Sequence, residues 1–157
     1  MARNRPGALR AAQFRPRAWV EQFPARIHGL SSRTSTAIRQ AETLDTDVYL
    51  YSGATDLALR RYRAFLRPAG HRPLYPRNAE CPAPDCSLDD VRHARDLLDE
   101  ILRLLPCRAR AELGRQVAAL DAVYLTRTLP DPFADRQWKS DHWWRRRLTA
   151  DHGTPGN

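Results

Sequence analysis

The chain has 157 residues, 42% of them hydrophobic and 28% charged, with a formal net charge of +8. That length fits one domain able to bury a real core. The sequence holds no apolar run of about 18 residues, no Gly-rich phosphate loop and no nucleophile elbow, so a membrane-spanning helix and the commonest catalytic motifs are excluded.

The excess charge lies at the two ends. Residues 1–39 contain Arg3, Arg5, Arg10, Arg15, Arg17, Arg26, Arg33 and Arg39 against the single acid Glu21. Residues 136–147 contain Arg136, Lys139, Arg145, Arg146 and Arg147 against Asp141, whereas residues 40–135 carry 13 Arg and 15 Asp or Glu. A near-neutral body with cationic ends predicts an acidic or polyanionic partner. Lys139 is the only lysine, which fits the coding bias of a GC-rich bacterial genome. That bias explains Arg in place of Lys, but not the scarcity of acids at the ends. The N-terminus has no apolar export core, and the three cysteines are odd in number. Both features predict a reducing, cytoplasmic setting.

Taken in chain order, residues 1–16 have no apolar period and read as a flexible basic arm, with a helical turn at most at 8–14. Trp19, Phe23 and Ile27 recur at four-residue intervals, with Val20 and Leu30 adjacent. Pro24 cuts that face, giving a short helix at 17–23 and a broken turn ending near Gly29. Ser31, Ser32, Thr34 and Ser35 offer helix caps. Ala37, Ile38, Ala41, Leu44, Val48 and Tyr51 then predict a helix at about 33–51. Gly53 is expected to end it and Thr55 to cap a helix at 55–67. Prolines at 68, 73, 76, 82 and 84 predict a long extended connection over 68–86.

The strongest periodicity follows. Ser87 is the expected cap of a helix whose stripe is Val91, Ala94, Leu97, Leu98, Ile101, Leu102 and Leu105. Pro106 stops it and starts a second helix with Ala109, Leu113, Val117, Leu120 and Tyr124 on one side. The pair is an αα-hairpin over 87–128. Its core can be completed by residues 17–67 or by a second copy of the chain. Pro130-Asp131-Pro132 breaks the chain before a basic Trp/Arg tail at 130–157. A short helix is possible at 133–148, and the last residues are expected to be disordered. The predicted fold is all-α: a four- to five-helix bundle built on the hairpin, with a helical domain at 17–129 and basic arms at both ends.

Two constellations carry chemistry. His71, Cys81, Cys86 and His93 have residue types and spacing that can enclose zinc. The simpler reading is a proline-rich loop with two ordinary thiols, or a reversible Cys81–Cys86 disulfide, and no cofactor. Cys107 lies too far along the hairpin to join them. Asp89, His93, Asp96 and Glu100 share a helix face that reads as solvated rather than as half of a metal pair. The C-terminal group is more specific: Trp138, Lys139, Trp143, Trp144, Arg145, Arg146 and Arg147 combine flat rings with cations, suited to stacking on bases and neutralising phosphates. The same chemistry suits a groove on an acidic protein or an anionic membrane surface. Alternatively, Trp143 or Trp144 folds back on the bundle and the Arg residues are solvated. Arg60 and Arg61, with Arg63 and Arg67, make the helix at 55–67 the nearest thing to a nucleic-acid-facing helix. The sequence therefore predicts a non-enzymatic nucleic-acid-binding or regulatory protein, with Arg3, Arg5, Arg10, Arg15, Arg17, Arg60, Arg61 and the tail as contacts. The alternatives are an adaptor docking an acidic protein and a small zinc protein.

Overall fold

A computed structural model of the chain describes residues 26–44, 50–79, 83–134 and 140–150. It is an all-α bundle. Four longer helices, α1 (Ser32–Leu44), α2 (Ala54–Leu66), α4 (Val91–Leu104) and α5 (Cys107–Arg127), are joined by the single turn α3 (Pro84–Ser87) and followed by a 3-10 segment at Ser140–Arg145. The predicted arm at 1–16 and helix at 17–23 lie outside the described residues, as do Trp138 and Lys139.

The hairpin stripes form the core. Val91, Ala94, Leu97, Leu98 and Ile101 of α4 and Ala109, Leu113, Val117 and Tyr124 of α5 are buried. Ile38 of α1 and Ala58, Leu59 and Tyr62 of α2 complete the same cluster within one chain. α2 packs chiefly on α4, and α1 on α5. Tyr62 meets Tyr124 edge-to-face at 5.7 Å between centroids, a favourable ring geometry.

Helix starts are held by carboxylates from elsewhere in the chain. A helix N-terminus leaves four N–H groups without intrahelical partners. For α1, the Ser31 hydroxyl accepts from the Thr34 N–H at 3.2 Å. Glu112 of α5 accepts from the Ser31 N–H at 2.6 Å, the Ser31 hydroxyl at 2.8 Å and the Thr34 hydroxyl. These donors, Thr34 foremost, hold the Glu112 carboxyl below its ordinary range. For α2, buried Glu42 accepts from the N–H groups of Gly53 and Thr55, both at 2.8 Å. Gly53 is the cap residue, at φ 88°, a left-handed value that favours glycine.

Three expectations need correction. α1 ends at Leu44, short of Tyr51, and residues 45–49 lie outside the described set. Thr55 sits buried in the first turn of α2 rather than capping it, because Glu42 takes that role. Asp90, not Ser87, caps α4, accepting from the Arg92 N–H at 2.9 Å. Ser87 instead closes α3, where Pro84 occupies a first-turn position that needs no N–H. The rest of the proline-rich stretch is extended over 73–79 and tied down by the Leu74 N–H to the Arg127 carbonyl at 2.6 Å.

Candidate nucleic-acid interface

Residues 140–150 do not project from the bundle. The Leu148 N–H bonds the Leu129 carbonyl at 2.9 Å, the Asp131 N–H bonds the Arg146 carbonyl at 3.0 Å, and the Ala150 N–H bonds the Pro76 carbonyl at 2.9 Å. This part of the expected arm is therefore laid across α4, the end of α5 and the proline-rich segment. The reason is that the tail supplies an indole and guanidinium groups where those elements present carboxylates and helix-end carbonyls.

Trp144 is 3% exposed, and its indole N–H donates to Asp96 Oδ1 at 2.6 Å. Arg145 grips the same carboxylate, with its Nε 2.9 Å from Oδ2. The Arg95 guanidinium stacks 4.3 Å from the Trp144 ring centroid, a cation–π geometry. Arg95 is itself buried and pairs with Asp121 at 3.0 Å, and the Tyr62 hydroxyl donates to Asp121 at 2.8 Å. Burial, reinforced by Asp121, pushes the Tyr62 phenol far above its ordinary value. Arg147 turns to the end of α5, its Nε 2.8 Å from the Thr128 hydroxyl and its Nη2 3.0 Å from the Leu125 carbonyl. That satisfies C-terminal carbonyls and complements the helix dipole. Burial lowers the Arg147 pKa from its ordinary value. Trp144, Arg145 and Arg147, read from sequence as contact residues, are thus spent within the fold.

Trp143 and Arg146 have a different environment. Trp143 is half-buried, edge-to-face with Tyr124 at 6.1 Å and with Trp144 at 5.7 Å. With Leu125, Pro130, Asp131, Arg146 and Arg147 it lines an open groove of about 370 Å³. On α2, Arg60 pairs with Asp56 at 3.2 Å and Arg61 with Asp89 at 2.9 Å, and both remain largely exposed. Exposed pairs of this kind are weak and screened, so both guanidinium groups stay available.

The acids are almost fully engaged. Glu42, Asp56, Asp89, Asp90, Asp96, Asp99, Glu100, Glu112, Asp121 and Asp131 each accept a hydrogen bond or hold an arginine. Asp141 alone of the acidic side chains described has no partner among the described residues. By contrast, the side chains of Arg33, Arg67, Arg72, Arg77 and Arg108 are exposed and have no partner among the described residues, and exposed Arg115 interacts only electrostatically with Glu112. From the sequence, Arg33 belongs to the basic N-terminal end and Arg67 to the helix at 55–67, whereas Arg72, Arg77, Arg108 and Arg115 have no contact role. The available signal was the α5 stripe itself: Arg108 and Arg115 fall off the Ala109–Leu113–Val117 face and must point outward.

A second groove, of about 400 Å³, runs along α4 between His93, Asp96, Asp99, Glu100 and Arg103 on one side and His142, Trp144 and Arg145 on the other. Its carboxylates are already bonded to Trp144, Arg145 and Arg103, so the face read as solvated is in part the seat of the tail. His71 is exposed, and His93 Nδ1 lies 3.2 Å from the Ser87 carbonyl. Cys86 is half-buried, and Cys81 lies outside the described residues. Among the described residues no group of three His, Cys, Asp or Glu side chains is arranged to hold a metal. No helix described is long and apolar enough to cross a membrane. No family model, curated protein or solved structure matches the chain.

Proposed function

We propose that the protein is a non-enzymatic accessory protein that binds the phosphate backbone of nucleic acid. One observation carries this reading. Nearly every described carboxylate is bonded within the fold, while five exposed arginines, Arg33, Arg67, Arg72, Arg77 and Arg108, have no partner among the described residues, so uncompensated positive charge stands at the surface. The Arg-rich segment at 3–17 adds to the same field. Arginine suits the role because its planar fork binds phosphate oxygens in pairs.

The experiment is a titration of duplex DNA, single-stranded DNA and RNA with the full chain over a range of salt concentrations. If about six arginines neutralise phosphates, log affinity falls with log salt at a slope of roughly −5 on duplex DNA. Weak binding without a salt slope overturns the reading. A second reading, an adaptor for an acidic protein, is favoured by exposed apolar side chains beside the basic surface: Leu125 is 47%, Leu129 40% and Phe133 70% exposed. It predicts saturable binding to an acidic amphipathic partner and negligible binding to all three nucleic acids.

A further inference from the structure

We infer that residues 67–77 form a track for a single strand of nucleic acid, with phosphates held by Arg67, Arg72 and Arg77 and an unpaired base stacked on Tyr75. This rests on the phosphate-binding reading and names the place and the ligand of that surface.

The track begins with a gap in the acids. Between Asp56 and Glu80 the sequence has six arginines and no carboxylate. Three of the six are engaged on α2: Arg60 with Asp56, Arg61 with Asp89, and Arg63 with the Gln116 side chain at 2.6 Å. Arg67, Arg72 and Arg77 are exposed and have no partner among the described residues. They follow one another along the stretch that leaves α2, so this uncompensated charge is gathered on one segment.

The backbone that carries them is fixed. The Arg127 guanidinium donates to the Pro68 carbonyl at 2.9 Å and to the Arg72 carbonyl at 3.4 Å, closing a turn in which Gly70 has φ 109°. The Leu74 N–H donates to the Arg127 carbonyl at 2.6 Å, and the Pro76 carbonyl accepts from the Ala150 N–H at 2.9 Å. Over 73–79 the chain is extended, and Pro73 and Pro76 restrict its backbone further. A segment ordered in advance loses little entropy on binding. Leu74 is half-buried and Pro76 buried, whereas Tyr75 is 37% exposed and Arg77 exposed, the alternation of an extended chain lying on a surface. Tyr75 therefore shares the outward face with Arg77, and Arg72 precedes it. The five residues from Arg72 to Arg77 span at most about 17 Å, enough for two phosphates to meet two guanidinium groups with a base between them on the ring. A guanidinium fork matches paired phosphate oxygens, and a ring matches the flat face of an unpaired base. A single strand offers both. The bases of a duplex are already stacked and leave Tyr75 unused, and an acidic peptide meets the cations alone.

The test titrates the full chain with an oligodeoxythymidine of about 12 nucleotides, and with an abasic strand of the same length, over a range of salt concentrations. Replacing Arg67, Arg72 and Arg77 together by Gln is expected to lower the slope of log affinity against log salt by about 2. Replacing all three by Lys keeps the slope, since the charge is retained. Because the three side chains have no partner among the described residues, both triple variants keep the denaturant midpoint of the unaltered protein. Tyr75→Leu weakens binding of the oligodeoxythymidine about tenfold and leaves binding of the abasic strand unchanged. A Gln variant that keeps the full slope overturns the track and leaves the phosphate-binding reading standing. Equal effects of Tyr75→Leu on the two strands overturn the stacked base, and so does duplex binding as tight as single-strand binding. Polyglutamate bound as tightly as the oligodeoxythymidine overturns nucleic acid as the occupant. Binding of neither strand by the unaltered protein overturns the phosphate-binding reading itself.

Discussion

The two sides of the 140–150 segment show how neighbouring residues of one type take opposite roles. Trp144 and Arg145 face α4, where Asp96 and Arg95 receive them, and they serve as structural fasteners. Trp143 and Arg146 lie toward the end of α5 and border an open groove. The difference lies in the surface beneath. α4 offers the tail a half-exposed acid beside a buried arginine, whereas the end of α5 offers backbone carbonyls and aliphatic side chains. A run of Trp and Arg is therefore not one site: Trp144, Arg145 and Arg147 hold the fold, while Trp143 lines an open groove.

The comparison breaks first at Asp121. This carboxylate is the nearer counter-charge of Arg95, which sits buried against Trp144 with Asp99 at 3.8 Å as its second, and it also accepts the Tyr62 hydroxyl. Asp121→Ala leaves a buried guanidinium and a buried phenol without it, so a loss of about 3–5 kcal/mol is expected in chemical denaturation. The tail should loosen with it, read as a red shift of tryptophan emission. A stability loss under 1 kcal/mol would show that the α4 side is not the fastened side.

Asp96→Ala is the next largest change. The Trp144 N–H loses its acceptor and Arg145 its partner, at an expected cost of about 1–3 kcal/mol. Asp96 is 35% exposed, so water takes over part of the charge and the lower half of that range is expected. Because Asp96 is no part of the proposed phosphate-binding surface, nucleic-acid binding should survive once the variant is folded. Loss of binding in a folded variant would show that the two sides act together.

How far this arrangement was legible in the sequence depended on range. The hairpin was fully legible, because Val91, Leu98, Ile101, Leu113 and Val117 repeat with the helix period and that period alone fixes the buried face. The all-α class followed from the same signal. The local cap at Ser31 was legible, but the long-range carboxylate contacts were not. Glu112 reaches Ser31 across 81 residues and Asp96 reaches Trp144 across 48, and no local pattern encodes such pairs. Arg92 and Arg95 are also buried, beside Asp90 and Asp121, and the apolar stripe of α4 does not signal this. Of the candidate contact residues, Trp144 was the least legible in role, since a ring flanked by cations reads the same whether it faces a base or an aspartate.

Glu112 gives a smaller effect with a distinctive pH signature. Its carboxyl is held below the ordinary range by Thr34 and Ser31 in the folded chain only. Its contribution is then complete above the unfolded carboxylate pKa and is lost as pH falls through the lower folded value. Glu112→Gln should cost about 1 kcal/mol near neutral pH, the scale of a lost helix cap. The gap between the two proteins should close on acidification, followed by denaturant midpoints at several pH values. A gap that stays constant across that range would assign the role to packing rather than charge.

The smallest expected effect on stability belongs to the residues with the largest expected effect on ligand. Arg108 and Arg115 lie exposed on α5, on either side of Glu112, and donate no hydrogen bond to the described residues, Arg115 adding only a screened attraction to the Glu112 carboxylate. Replacing both by Gln should move stability by less than about 0.5 kcal/mol, as for surface positions without partners. If they contact phosphate, the same replacement lowers the salt slope by about 2 and weakens every nucleic acid alike. A double variant that binds with an unchanged slope would place the phosphate contacts elsewhere, on Arg33, the 67–77 stretch or the N-terminal arginines.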